Sequence, residues 1–154
     1  MTDQTRRLVD AAREAARFAH APYSGFGVGA ALLLDDGSII TGCNFENASY
    51  GLTLCAETVA LATANAQGKL RAVREIAVIG GPLVNGTPKG HDPVRPCGRC
   101  RQVINEAAGL SGHDIVIHCA GAEGDEGLML RCAVLGSPRI GYEVFRPRRL
   151  AGDC

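Results

Sequence analysis

Apolar residues near the start of the chain fall on one helical stripe. Leu8, Ala12, Ala15, Ala16 and Ala19 recur at helical spacing, which predicts a helix over 3–20 that Pro22 stops. Val28 to Leu34 is a short apolar run, Asp35-Asp36-Gly37 has turn chemistry, and Ser38 to Cys43 continues after it, the pattern of a β-hairpin. Residues 44–53 show no clear period and read as a loop. Cys55 to Ala66 is rich in Ala and Leu and predicts a second helix, with Thr53 as candidate cap. Ile76 to Ile79 is a buried-strand candidate, whereas the glycines and prolines of 81–96 predict irregular chain. A third helix is expected from Cys97 to Ala108, ending near Gly109, followed by strands over 115–119 and 128–134. The last twenty residues carry no decisive pattern. The order α-β-β-α-β-α-β-β implies an α/β fold, a three-layer α/β/α sandwich with a mixed central sheet.

Composition narrows this picture. With 154 residues the chain is expected to form a single domain, 1–154, large enough to fold around an apolar core alone. Sixteen basic residues balance sixteen acidic ones, which argues against a general binder of nucleic acid or membrane surfaces. The local run Arg146-Pro147-Arg148-Arg149 reads as a solvated tail. No segment approaches the ~18 apolar residues of a membrane span. Asp3, Arg6, Arg7 and Asp10 stand where an export signal would need an apolar core, so a cytoplasmic location is expected. In that reducing compartment some of the seven cysteines should be metal ligands or plain core residues. Asn47-Ala48-Ser49 and Asn85-Gly86-Thr87 are then only formal glycosylation matches.

Two cysteine clusters carry candidate chemistry, each at a predicted helix start: Cys55-Ala56-Glu57 and Pro96-Cys97-Gly98-Arg99-Cys100. Cys97 and Cys100 share one face of a first turn, where unpaired N–H groups and the helix dipole stabilise thiolates. If Cys55 opens a neighbouring helix, three thiolates can converge on one ion, and such a donor set favours Zn²⁺. Three protein ligands leave a position for water, as catalytic zinc sites do. Glu57 lies close enough to move that water's proton without being a ligand, which points to hydrolytic attack on an sp² carbon bearing an amine.

Simpler readings stand beside these. A lone Cys-x-x-Cys can be a redox pair or half of a structural site, and His91 is a conceivable fourth ligand against its ordinary role as a solvent-facing loop residue. Cys43, Cys119 and Cys132 fall on predicted strands and read as small core hydrophobes, and no role is assigned to Cys154. Gly25-Phe26-Gly27-Val28-Gly29-Ala30 formally fits a dinucleotide fingerprint, but it follows a helix and opens a strand, the reverse of what that motif requires.

Taken together, these residues resemble the small, homotetrameric, zinc-dependent cytidine deaminases, whose signature combines a His/Cys-x-Glu with Pro-Cys-x-x-Cys. Ala21-Pro22-Tyr23-Ser24-Gly25-Phe26, Val28-Gly29-Ala30-Ala31-Leu32 and Gly42-Cys43-Asn44-Phe45-Glu46-Asn47-Ala48-Ser49-Tyr50 extend the resemblance over about residues 11–107. It implies that Cys55, Cys97 and Cys100 bind zinc and that Glu57 shuttles protons. It further implies that Asn44 and Glu46 hydrogen-bond the ribose hydroxyls, Phe26 packs near the base, the Ala56 N–H meets the pyrimidine O2, and Tyr50 reaches a neighbouring subunit's site. The implied reaction is deamination of cytidine or deoxycytidine, a small-molecule nucleoside rather than a nucleic acid, in pyrimidine salvage.

Three departures stand out. Thr58 occupies the place of the family's usual Arg, which offsets the net −1 of three thiolates on Zn²⁺; Arg95, Arg99 or Arg101 are candidate substitutes. The 81–95 loop is longer than the family norm. Leu135-Gly136-Ser137-Pro138, running toward Tyr142 and Phe145, replaces the family's C-terminal Leu-Leu-Pro-x-x-Phe pattern. The alternatives these leave open are a deaminase of the same fold for a modified or antibiotic aminopyrimidine nucleoside, and a non-catalytic zinc-binding scaffold. Nucleic-acid editing is disfavoured by the neutral charge and the few aromatic residues.

Overall fold

A computed structural model describes residues 2–124 and 127–132. Helix α1 spans Asp3–Ala16 and is capped by the Thr2 hydroxyl, which accepts the Thr5 N–H at 3.2 Å. Strands β1 (Phe26–Leu34) and β2 (Ile39–Cys43) form the expected antiparallel hairpin. Helix α2 (Ala56–Ala66) leads to β3 (Val73–Val84), whose end folds back as the short β4 (Thr87–Pro88). Helix α3 (Gly98–Ser111), β5 (Ile115–Gly121) and β6 (Gly127–Cys132) complete the order. The main sheet runs β2-β1-β3-β5-β6, with β3 and β5 parallel and the other neighbours antiparallel.

Strand alternation divides the apolar residues between the two faces. Ala31, Leu33, Ala77, Ile79 and Ala120 pack against Leu8, Val9, Ala12 and Ala16 of α1. Ala30, Leu32, Ile76, Val78, Ile115, Ile117 and Cys119 pack against Ala60, Leu61 and Ala64 of α2 and Ile104, Ala107 and Ala108 of α3. The result is the α/β/α sandwich that the element order implies, with Cys119 a core residue. Cys43 is half-buried at the end of β2.

Several boundaries differ from the sequence expectation. Helix α1 stops at Ala16 instead of 20, because the N–H groups of Arg17, Phe18 and Ala19 turn to the carbonyls three residues back. Strand β3 is far longer than 76–79: Gly80, Gly81 and Pro82 stay extended because β1 pairs with them through Val28, Gly27 and Phe26. Part of 81–96 is therefore ordered hairpin, not irregular chain, and turns at Asn85 (φ 51°) and Gly86 (φ 75°). Helix α3 runs past Gly109 to a left-handed cap at Gly112. The expectations for 133–134, Leu135–Pro138, Tyr142, Phe145, Arg146–Arg149 and Cys154 lie outside the described residues.

Two glycines set how closely the layers approach. A Cβ on Gly29 would run into the Ala12 carbonyl of α1 and lie 2.7 Å from the Ala16 nitrogen. A Cβ on Gly42 would lie 2.5 Å from the Ala60 nitrogen and 2.8 Å from the Ala56 carbonyl oxygen of α2. Helix α2 thus rests directly on the backbone of β2, which fixes the height of its first turn above the sheet.

Candidate metal centre

Both helices on that face begin at a cysteine. Cys55 precedes α2 and Cys97 precedes α3, each in extended conformation (φ −75°, ψ 152° and φ −66°, ψ 169°). Thr53 is therefore not the cap of α2, in correction of the sequence reading: Cys55 occupies that position. The Thr53 hydroxyl instead accepts the Asn47 N–H at 3.1 Å, and its carbonyl accepts from Arg99 at 3.2 Å. Cys100 lies one turn into α3, and its N–H donates to the Cys97 sulfur at 3.5 Å.

The sulfurs of Cys55, Cys97 and Cys100 all lie within 4.8 Å of one another, with Cys55 and Cys97 3.9 Å apart. Zn–S bonds of ~2.3 Å in a tetrahedron place sulfurs about 3.8 Å apart, so the cluster has the dimensions of a zinc site with one corner left over. Among the described residues no other three His, Cys, Asp or Glu side chains gather in this way. His91 is not part of the cluster; its backbone packs against Gly121 and it is exposed.

Glu57, on the first turn of α2, is 4% exposed, and burial pushes its carboxyl above the ordinary carboxylate range. Burial also raises the Cys55 and Cys100 thiols, with the Glu57 carboxylate adding to the effect at Cys100. At Cys97 burial acts upward too, but the Cys100 N–H and the neighbouring thiols outweigh it and hold the group below its usual value. Thr58 places its hydroxyl 3.7 Å from the Cys100 sulfur. Of the three arginines considered as charge compensators, Arg99 bonds the Thr53 carbonyl and Arg101 bonds the Pro96 carbonyl at 3.0 Å, bracing the chain that precedes each ligand. Arg95 and Arg101 act electrostatically on the Cys119 thiol.

The segment leading to Cys97 is tied to the end of β5 and the residues that follow it. Glu123 accepts from the Gly90 N–H and from Lys89, each at 3.0 Å, and the Val94 N–H donates to the Ala120 carbonyl.

A second polar group sits beside the metal centre. Residues 44–46 form a short extended piece whose central residue pairs with His20 on one side and Leu54 on the other. Alternation turns Asn44 and Glu46 inward, 8% and 9% exposed, and leaves Phe45 outside. Since Leu54 immediately precedes Cys55, this pairing ties the polar pair to the first cysteine of the cluster. The Asn44 side chain accepts the Val28 N–H at 2.8 Å and donates to the Phe26 carbonyl at 3.0 Å. Glu46 accepts from the Tyr23 and Ser24 N–H groups at 3.0 and 3.2 Å and from the Ser24 hydroxyl at 2.5 Å. These bonds, the Ser24 hydroxyl's first, hold the Glu46 carboxyl below its usual range.

Phe26 borders this group at the start of β1 and is partly exposed. Ala56 is fully buried at the first position of α2, where the N–H has no intrahelical acceptor. Tyr50 is exposed in a 3-10 turn and stands edge-on to Tyr23, ring centres 6.1 Å apart. Sequence reasoning missed Ser24, the Thr58 contact and the Glu123 clamp, because each acts on a partner at least 22 residues away.

Comparison with known proteins adds an independent line. The family model described as the cytidine and deoxycytidylate deaminase zinc-binding region matches residues 2–117. A cytidine deaminase of Halalkalibacterium halodurans is 46% identical over 118 residues, covering 77% of this chain and 80% of that protein. One from Mycobacterium tuberculosis is 48% identical over 99 residues, covering 64% and 67%. The crystal structure of cytidine deaminase from Burkholderia pseudomallei superposes with a TM-score of 0.66 at 40% identity, covering 86% of this chain and 93% of that one.

Proposed function

The chain belongs to the cytidine and deoxycytidylate deaminase family, and from that premise we propose that it is a zinc-dependent hydrolase converting cytidine and deoxycytidine to uridine and deoxyuridine with release of ammonia. The observation that carries this reading is the three-sulfur cluster with a buried Glu57 at its edge. Cys55, Cys97 and Cys100 would hold the ion, and zinc bound there would supply a water acidic enough to ionise near neutral pH. Glu57 takes the proton as oxygen adds to C4 of the base and returns it to ring N3. It then takes the proton of the new C4 hydroxyl and passes it to the departing 4-amino group, so that C4 becomes a carbonyl and one water is consumed and one ammonia released per nucleoside. The burial of Glu57 at the start of α2, next to the cysteine that opens the helix, suits a group that must hold a proton between these steps.

Asn44 and Glu46 grip the ribose hydroxyls, the Ala56 N–H meets O2 of the pyrimidine, and Phe26 packs against the ring. The burial of Asn44, Glu46 and Ala56 supports these roles, and buried groups aimed at hydroxyls favour an ordinary nucleoside sugar over an altered one. Residues 1–154 act as one domain in cytoplasmic pyrimidine salvage. The chain assembles as a homotetramer in this reading, with Tyr50 reaching a neighbouring subunit; the large apolar residues left exposed, Tyr23, Phe45, Tyr50 and Leu52, support an interface between subunits there. Light scattering on the purified protein tests the assembly. Glu57→Gln tests the chemistry: it should retain stoichiometric zinc and lose turnover of cytidine, and undiminished turnover would remove Glu57 from its assigned role.

A further inference from the structure

Resting on the sugar-binding roles given above to Asn44 and Glu46, we infer that Ser24 is a positioning residue for nucleoside recognition, joining the carboxylate that grips the sugar to the backbone of the aromatic residue that packs on the base. The Ser24 hydroxyl faces both. It donates to Glu46 Oε1 at 2.5 Å and accepts the Phe26 N–H at 3.0 Å. The Phe26 carbonyl, on the other side of the same residue, is held by Asn44 Nδ2 at 3.0 Å. Phe26 is therefore gripped at its N–H through Ser24 and at its carbonyl by Asn44, so the sugar pair and the base wall form one bonded unit.

The turn that makes this possible is local. Gly25 takes a left-handed conformation (φ 64°) between Ser24 and Phe26, and its N–H returns to the Ala21 carbonyl. The Tyr23 and Ser24 N–H groups fall on Glu46 Oε2 as a consequence. A carboxylate offers about four acceptor sites, and three are occupied by this turn, which leaves one directed acceptor for a sugar hydroxyl. Without the Ser24 hydroxyl, Oε1 loses its fixed donor and the Phe26 N–H loses its acceptor. The carboxylate can then rotate, and the ring it is linked to can shift.

The test is a mutant cycle read as separate kcat and KM values for cytidine on the zinc-loaded protein, with Ser24→Ala, Ser24→Thr, Glu46→Ala and the Ser24→Ala/Glu46→Ala double variant. Ser24 is exposed and outside the core, so every variant should fold and bind one zinc per chain, with the lost hydrogen bond lowering the melting temperature of Ser24→Ala by only a few degrees. A charge-assisted hydrogen bond of this kind predicts that Ser24→Ala raises KM about 5- to 20-fold with kcat within about twofold. Ser24→Thr, which keeps the hydroxyl, should restore KM. In the Glu46→Ala background, removing Ser24 should add less than about twofold, because the carboxylate it orients is gone. An unchanged KM in Ser24→Ala, or effects that multiply in the double variant, would overturn the inference while leaving the sugar-binding reading intact. A Glu46→Ala protein with the parent KM would overturn the sugar-binding reading itself, and this inference with it.

Discussion

Gly42→Ala is the substitution that should connect packing to chemistry most visibly. The added Cβ would lie 2.5 Å from the Ala60 nitrogen, 2.8 Å from the Ala56 carbonyl oxygen and 3.0 Å from the Ala60 Cα. Ordinary contact requires about 3.5 Å, so α2 must lift from β2 by roughly 1 Å or the strand must bend by as much. Such overpacking typically costs about 1–3 kcal/mol, which for a chain of this length lowers the melting temperature by roughly 3–10 °C. The same displacement moves the first turn of α2, which follows Cys55 and carries Glu57, and a misplacement of about 1 Å at a reacting centre can cost on the order of 100-fold in rate. Zinc affinity should weaken with it.

Gly29→Ala is the control. Its Cβ would collide with Ala12 and Ala16 of α1, on the opposite face of the sheet from the cysteines, so it should lower the melting temperature at least as much while leaving zinc affinity near that of the parent chain. Thermal unfolding of the zinc-loaded proteins, zinc competition against a chromophoric chelator and kcat/KM for cytidine give the three readouts. A Gly42→Ala protein with parental zinc affinity and turnover would refute the reasoning that β2 sets the height of the first turn of α2. Equal losses of zinc in both variants would do the same.

The Thr58 hydroxyl contacts the Cys100 sulfur, so Thr58→Val should weaken zinc binding about 10- to 100-fold, the usual effect of losing an outer partner of a metal ligand, and Thr58→Ser should recover it; chelator competition measures both. Ile76 is fully buried between β3 and the α2–α3 layer, and Ile76→Ala should cost about 2–5 kcal/mol in denaturant unfolding with zinc held saturating. The Gly90 N–H and Lys89 hold the Glu123 carboxyl below its ordinary value of 4.5. The clamp on residues 89–90 should therefore be fully present above that value and be lost only as the pH falls through the lower folded value, which amide exchange at Gly90 would follow. Glu123→Ala should accelerate that exchange at neutral pH, and an unchanged rate would show that the loop is held by other contacts.

The sequence and the structure agree most closely where a single local rule decides the outcome. Apolar spacing in α1 and the Asp-Asp-Gly turn between β1 and β2 are of this kind, and the two cysteine motifs reveal their chemistry because a thiolate triad needs only a few side chains at fixed helix starts. The failures arise where a distant partner overrides the local signal. Gly81 and Pro82 read as breakers, yet pairing with β1 holds them in β3, and a Cβ on Gly81 would collide with the Lys89 carbonyl where the hairpin returns. Thr53 has the chemistry of a cap, but its hydroxyl serves Asn47 and the cysteine two residues on takes the position. Asn44 and Glu46 stand out in the sequence only through a resemblance to a sugar-binding motif. Their hold on the turn from Tyr23 to Phe26 depends on bonds across at least 16 residues that no spacing rule exposes.

The central claim is that metal held by Cys55, Cys97 and Cys100 enables this chain to deaminate a free pyrimidine nucleoside. The most direct test is to titrate zinc into the metal-free protein while following loss of cytidine absorbance and release of ammonia. Activity should rise linearly and reach a plateau at one zinc per chain, with one ammonia formed for each cytidine consumed. Full activity without metal, or a zinc-saturated protein that leaves cytidine unchanged, would contradict it.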